Sequence, residues 1–281
     1  MTRTPYWPRI ALDDMLDALR TQETGPGRLV ARGLRTDHPS VLGSQLLGLT
    51  VATAERTLPG MRVQSLHTVF PRGGRAGEPI DVAVETVQSG RFLATLEVSF
   101  RQRGREHCRA VVMLTRDEPD FVRHGVVAHD DLPGPDACEA FDCPLVPWET
   151  RVEGGIGAWD RDASGPAAID LWMRCKDLAN GDRGLSRSLL AHAVEAFVIP
   201  VGVRPYPQAE LVRRGGSGLS VVLAQTVTFH EPFDLAEWLL LRVENVYAGR
   251  GRMHSRFQAF ADGRLVASAG GDGLLRAAVD G

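Results

Sequence analysis

The chain has 281 residues, of which 43% are hydrophobic and 24% are charged, a composition typical of a folded globular protein. Its formal net charge is -3, so no strong positive field exists to attract nucleic acid or an anionic membrane surface. Residues 1–10 contain two prolines and no apolar stretch, which argues against a signal peptide and predicts a cytoplasmic location. No apolar run approaches the roughly 18 residues of a membrane span, so we expect no membrane partner.

Four cysteines occur in the chain. Cys138 and Cys143 form a C-x4-C pair, but no second pair or histidine cluster completes a zinc site. We therefore expect free thiols in a reducing compartment, with no metal ion and no cofactor.

The first half of the chain predicts one helix followed by four strands. Residues 43–58 have apolar side chains at helical spacing, and Pro59-Gly60 ends that helix. Strands follow at 62–70, 80–87, 92–102 and 107–114, with turns at Gly90 and Gly104.

Residues 119–145 are predicted to be a linker. This stretch is rich in proline, aspartate, histidine and glycine and shows no sustained periodicity. It separates a predicted N-terminal unit, residues 1–118, from a C-terminal unit, residues 146–281.

The second half repeats the order of the first. A strand at 167–174 precedes a helix at 185–199, which Pro200 ends. Four strands then follow, at 220–230, 238–246, 253–260 and 265–269.

An internal repeat explains this order. The pattern V-E-x-V-x-x-G-R occurs at residues 84–91 and again at 243–250, an offset of 159. The same offset relates Phe70 to Phe229 and Gly104-Arg105 to Gly263-Arg264. A repeat of this length indicates a duplicated structural unit. We predict an α+β fold of two tandem units, each an antiparallel sheet wrapped around a central helix, joined edge to edge because an open edge needs protection.

Several motifs resemble one protein family. Residues 229–233 (F-H-E-P-F) and 237–240 (E-W-L-L) are similar to the F-H-R-P-F and E-W-L-L motifs of the acyl-CoA thioesterase II family, with Glu231 in place of arginine. Further similar pieces lie, in the family's order, at residues 43–45, 65–70, 172–174 and 265–268. The resemblance spans about residues 28–277 and implies a double hotdog fold, with an acyl-CoA thioester as substrate.

The resemblance also implies a mechanism and positions for its residues. Members hydrolyse the thioester to free CoA and a carboxylic acid by direct attack of water, which a carboxylate, a hydroxyl and an amide hold. These positions fall on Glu195, where the family usually has aspartate, on Val222 and on Gly271. Since valine has no hydroxyl, we consider Thr226 or Ser220, which share a face with Val222 in a regular strand. The side chain of Gln225 points to the opposite face of a regular strand, unless a bulge changes its direction.

Glu195 has two interpretations. With Ser188 and His192 it forms a polar stripe opposite the apolar face of its helix, and most such stripes are solvated surface. Where helices from both halves meet, the same stripe would line a site, and a carboxylate there could take a proton from water.

Three further residues are candidates for substrate binding. Gly43 and Gln45 begin the first helix, whose free N–H groups suit a developing oxyanion, although a plain helix start is an alternative. His67 is the counterpart of Thr226 at the offset of 159, and a structural role is its alternative.

Two other functions stay open. Val222 and Gly271 are consistent with a non-catalytic acyl-CoA-binding protein, and a hotdog hydratase or dehydratase is also compatible with the fold, although no paired Asp/His motif supports it. A G-x-S-x-G elbow is absent, which argues against a serine-nucleophile thioesterase. The expected partner is an acyl-CoA substrate, with homo-oligomers conceivable.

Overall fold

The computed structural model describes residues 9–36, 38–128, 132–159, 164–178, 181–207, 210–211 and 220–277. Its helices are α1 Leu12–Ala18, α2 Gly43–Thr57, α3 Arg183–Ala196 and α4 Val198–Val203. Its strands are β1 Thr21–Gly25, β2 Arg28–Ala31, β3 Arg62–Val69, β4 Ile80–Ser89, β5 Leu93–Gln102, β6 Arg105–Thr115, β7 Glu139–Ala140, β8 Glu149–Val152, β9 Ala168–Arg174, β10 Ser220–Phe229, β11 Leu239–Gly249, β12 Arg252–Ala261 and β13 Arg264–Leu275.

The two predicted helices and the nine predicted strands are present. The second helix ends at Ala196 and Pro200 lies inside α4, so the prediction that Pro200 ends this helix is wrong. Most ends differ by no more than three residues, whereas β13 runs six residues past its predicted end. The extension contains Gly270, Gly271 and Gly273, and glycine weakens a strand pattern in the sequence. Pairing on both sides, with β10 and β12, keeps this glycine-rich segment extended.

Several short elements were not predicted. Helix α1 and the hairpin β1–β2 precede the first predicted helix, and they are too short to show a clear period. Within the predicted linker, β7 pairs with β8, and Cys138 and Cys143 are buried. The later part of residues 119–145 is thus packed with the second half, while the division into two units stays a prediction.

The described strands form one sheet that displays the duplication. Their order is β1-β2-β4-β5-β6-β3-β10-β13-β12-β11-β9-β8-β7, so each half follows the same path outward from β3 and β10. These two strands pair antiparallel, and His67 lies opposite its own counterpart Thr226. The predicted double hotdog arrangement with edge-to-edge joining is confirmed.

Helices α2 and α3 pack against each other on the inner face of the sheet. Their contact is close at Gly48, where a Cβ would lie 2.9 Å from the carbonyl oxygen of Ser188. Glu55, near the end of α2, contacts Arg187, near the start of α3, so the helices run antiparallel. This arrangement brings the end of α3 to the beginning of α2.

The core lies between this helix pair and the sheet. Its largest fully buried side chains include Phe100, Phe197, Phe229, Phe257 and Phe260. By length and composition alone, residues 183–203 are long and apolar enough to cross a membrane, contrary to the expectation that no segment would be. Because 89% of that apolar window is buried inside the protein, the segment is explained as a core helix.

Candidate active site

The carboxylate of Glu195 lies at the N-terminus of α2, across the interface between the halves. A Cβ on Gly43 would overlap Glu195 Oε1 and would come within 3.2 Å of Glu195 Cδ. The first turn of α2 has no acidic residue, and its N-cap position, Leu42, has no capping side chain. Glu195 therefore supplies the negative charge that the unsatisfied N–H groups of this terminus favour.

Burial changes the acidity of this group. It raises the pKa of Glu195 from 4.5 to about 7, while the backbone and hydroxyl of Ser44 stabilise the charged form and work against the shift. The Ser44 hydroxyl is close to the carboxylate but lacks a well-formed hydrogen bond. No charged neighbour contributes to the shift. Glu195 is thus half-buried, has no cationic partner among the described residues, and is able to exchange a proton near neutral pH.

Glu55 is the counterpart of Glu195 in the first half. Each is the thirteenth residue of its helix, and Glu55 Oε2 lies 2.9 Å from a Cβ position on Gly184, at the start of α3. Arg187 donates to Glu55 through Nε at 2.7 Å and Nη2 at 2.8 Å, and the Val63 N–H donates at 2.9 Å. A bidentate ion pair thus neutralises one of the two related carboxylates, and Glu195 is left as the reactive one.

The polar stripe of α3 faces the helix interface. Ser188 and His192 are buried, so the interpretation as a solvated surface is wrong. It fails because the antiparallel partner α2 covers this side of the helix. His192 Nε2 donates to the carbonyl oxygen of Leu145 at 2.6 Å, and burial lowers the pKa of His192 to about 4. His192 is therefore neutral at physiological pH.

A bulge in β10 separates the two hydroxyls considered as partners of Glu195. The register with β13 shifts between Val222 and Ala224, which reverses the faces that follow. Thr226 is exposed on the outer face, where its Oγ1 lies 2.7 Å from His67 Nδ1. Ser220 lies before the bulge, so the prediction that it shares a face with Thr226 is wrong.

Among the predicted substrate-binding residues, only Gly43 lies beside Glu195. Gln45 is buried, and its amide accepts from the Leu34 N–H at 3.1 Å and donates to the Arg32 carbonyl at 2.7 Å. Gln45 therefore anchors the segment that precedes α2. His67 faces away from the helices, and its side chain does not meet Glu195.

Family models match both halves of the chain. The acyl-CoA thioesterase N-terminal domain matches residues 33–116, and the acyl-CoA thioesterase C-terminal domain matches residues 123–270. The chain belongs to the acyl-CoA thioesterase family. The resemblance to the acyl-CoA thioesterase II family in the sequence motifs is confirmed.

Individual members of the acyl-CoA thioesterase family align along most of the chain. It is 24% identical over 269 residues to acyl-CoA thioesterase 2 of Haemophilus influenzae, covering 88% of this chain and 92% of that protein. It is 23% identical to acyl-coenzyme A thioesterase 8 of Mus musculus, covering 84% and 80%. The tesB protein of Mycobacterium avium subs paratuberculosis has the same fold, with a TM-score of 0.77, 23% identity, and coverage of 95% and 100%.

Two polar side chains near this site were not assigned from the sequence. Thr68 and Gln225 are buried on the inner face of the sheet, and their side-chain polar atoms have no hydrogen-bond partner. The bulge after Val222 turns Gln225 inward, as expected where a bulge changes the face to which a strand residue points. Thr68 lies within the similar piece at residues 65–70, but no site role was assigned to it, and its burial without a hydrogen-bond partner is what identifies it.

Proposed function

We propose that this protein hydrolyses an acyl-CoA thioester to free CoA and a carboxylic acid, with Glu195 as the general base. Membership of the acyl-CoA thioesterase family supports the reaction class. The observation that carries the role of Glu195 is that no described residue pairs it with a cation, together with its pKa of about 7. A base with a pKa near the working pH is the most effective, because it is both available and strong enough.

The reaction consumes one water, and the carboxyl group of Glu195 carries one proton from that water to the leaving group. The water oxygen attacks the thioester carbonyl carbon while Glu195 takes a proton from that water. The tetrahedral intermediate then collapses, the C–S bond breaks, and Glu195 returns its proton to the departing CoA thiolate. The N–H groups at the start of α2 lie beside Glu195, where they would stabilise the oxyanion of the intermediate.

Gly43 leaves the space at the start of α2 open for the Glu195 carboxylate. Any side chain there would occupy the space of the Glu195 carboxylate and of the Phe70 ring, whose Cζ would lie 3.4 Å from the added Cβ. Glycine is thus required by the close approach of the carboxylate to the helix terminus.

The test is the release of CoA thiol from acyl-CoAs of graded chain length. Glu195→Gln should lower kcat by about 10²–10⁴-fold, the usual contribution of a general base. The four cysteines of the chain are buried, so the protein's own thiols should add little to the signal.

A matched control removes the related carboxylate. The double variant Glu55→Gln/Arg187→Met deletes both charges of the ion pair and should hydrolyse acyl-CoA at the wild-type rate. Equal rates for wild type and Glu195→Gln would remove Glu195 from the mechanism. Tight acyl-CoA binding without turnover in the wild type would instead identify a binding protein.

A further inference from the structure

Two buried polar side chains face each other where the halves join. Thr68 of β3 and Gln225 of β10 are paired across the strands and are 0% and 1% exposed. Thr68 Oγ1 and both polar atoms of the Gln225 amide, Oε1 and Nε2, have no hydrogen-bond partner in the protein. Leaving a buried polar group unpaired costs about 1–3 kcal/mol, so such groups call for a water or a ligand as partner.

The Gln225 amide lies beside Val198, the first residue of α4, which is close in sequence to Glu195. A Cβ on Gly271 would be 2.5 Å from Gln225 Oε1 and 2.7 Å from Val198 Cγ2, so these two atoms flank the same small space. Val198 follows Glu195 by three residues, and side chains at this spacing on a helix are neighbours. The absence of a side chain at Gly271 provides the room that the amide occupies.

Thr68 lies on β3, on the strand face that leads to the start of α2. Thr68 and Phe70 are two residues apart and therefore point to the same face. The Phe70 ring reaches the Gly43 position that the Glu195 carboxylate also touches. The backbone is fixed there because the Phe70 N–H donates to the carbonyl of Leu223, within the β10 bulge, at 2.9 Å. Strand and helix thus bring both unpaired side chains towards Glu195.

We propose that Thr68 and Gln225 hold the attacking water in front of Glu195. This inference rests on the proposed hydrolysis. A water has two hydrogens and two lone pairs: Glu195 takes one hydrogen, Gln225 Oε1 accepts the other, and the Thr68 hydroxyl donates to one lone pair. The second lone pair stays free to attack the thioester carbon. The Gln225 Nε2 is left to donate to the carbonyl oxygen of the substrate.

Thr53 offers a matched control for the loss of a buried hydroxyl. Its Oγ1 is also buried without a partner, but it lies ten residues after Gly43 along α2. At about 1.5 Å per residue, this places it roughly 15 Å from the helix terminus that Glu195 contacts.

The experiment compares kcat, KM and Tm of the full-length wild type, Thr68→Val, Gln225→Leu and Thr53→Val with an acyl-CoA that the wild type hydrolyses. Thr68→Val and Gln225→Leu should each lower kcat by about 10²-fold, because the water loses its position. Their Tm should stay close to that of the wild type, because neither side chain makes a hydrogen bond within the protein. Thr53→Val should have the same Tm effect as these two variants but the kcat of the wild type. Thr68→Ser, which keeps a hydroxyl, should have a kcat close to that of the wild type.

The outcomes separate this inference from the proposed function. A wild type that releases no CoA overturns both. An active wild type whose Thr68→Val and Gln225→Leu variants keep its kcat overturns only the water-holding role. A drop in kcat with a matching drop in Tm also overturns it, because the two side chains would then act through the fold.

Discussion

Glu195 and Glu55 occupy equivalent places in the two halves of the duplication, yet in the described part of the chain Glu55 has a cationic partner and Glu195 has none. Glu55 accepts both donors of the Arg187 fork, whereas no charged side chain contributes to the pKa of Glu195. One fold thus uses the same helix-terminus position in two ways. The paired carboxylate joins the helices, and the unpaired one is available for chemistry.

The Glu55–Arg187 pair should contribute strongly to stability. Its side chains are only 16% and 10% exposed, and removing one partner leaves an uncompensated charge inside the helix interface. We expect Arg187→Met to lower the free energy of unfolding by about 3–5 kcal/mol, measured by urea denaturation. Glu55→Gln/Arg187→Met should recover most of this loss.

An exposed pair supplies the comparison. Arg256 and Glu244 are 63% and 53% exposed, so Arg256→Met should change the unfolding free energy by no more than about 1 kcal/mol. If Arg187→Met lowers the free energy of unfolding no more than Arg256→Met does, the Glu55–Arg187 pair does not contribute strongly to stability.

Glu195 should make the protein less stable as pH rises. Its folded pKa of about 7 exceeds the ordinary value of 4.5, so the folded state holds the proton more tightly than the unfolded state does. The stabilising contribution of this group is fully present below about pH 4.5 and is lost as pH rises through about 7. Glu195→Gln should therefore gain Tm relative to wild type between pH 5 and 8. A Tm difference that is constant over this range would refute the shifted pKa.

Gly43→Ala should impair activity more than folding. The added Cβ would displace the Glu195 carboxylate from the start of α2, and kcat should fall by about 10²-fold, as expected for a misplaced catalytic group. Alanine itself is well tolerated in a helix, so Tm should change little. Gly25→Ala is the control, because a Cβ there meets nothing within 4 Å. Wild-type kcat in Gly43→Ala would show that the close approach has no catalytic importance.

The fold could be predicted because its signals are periodic and repeated. Phe229 ends β10 and its offset match Phe70 directly follows β3, and these two strands pair across the junction. The repeat itself indicated two joined sheets. The short elements β1, β2 and β7 escaped prediction, because strands of two to five residues are too short to show a clear period. Their pairing with neighbouring strands of the sheet keeps them in place: β1 with β2, β2 with β4, and β7 with β8.

The site could be predicted only in part. Glu195 was found through the motif resemblance, but its burial depends on how α2 packs against α3. The bulge near Val222 reversed the faces of β10, so Thr226 points outward and Gln225 inward. A bulge is set by pairing with neighbouring strands, and strand alternation alone cannot reveal it. Thr68 became a candidate only when its hydroxyl proved to be buried without a partner.

The pH dependence of kcat/KM for acyl-CoA hydrolysis tests the role of Glu195 most directly. An unpaired Glu195 that must be ionised predicts a rate that rises with pH up to about 7 and then levels off. In Glu195→Gln, kcat/KM should be far lower and should no longer rise with pH over this range. A wild-type profile that is flat from pH 5 to 8, or a limb that survives in Glu195→Gln, would contradict the assignment of Glu195 as the general base.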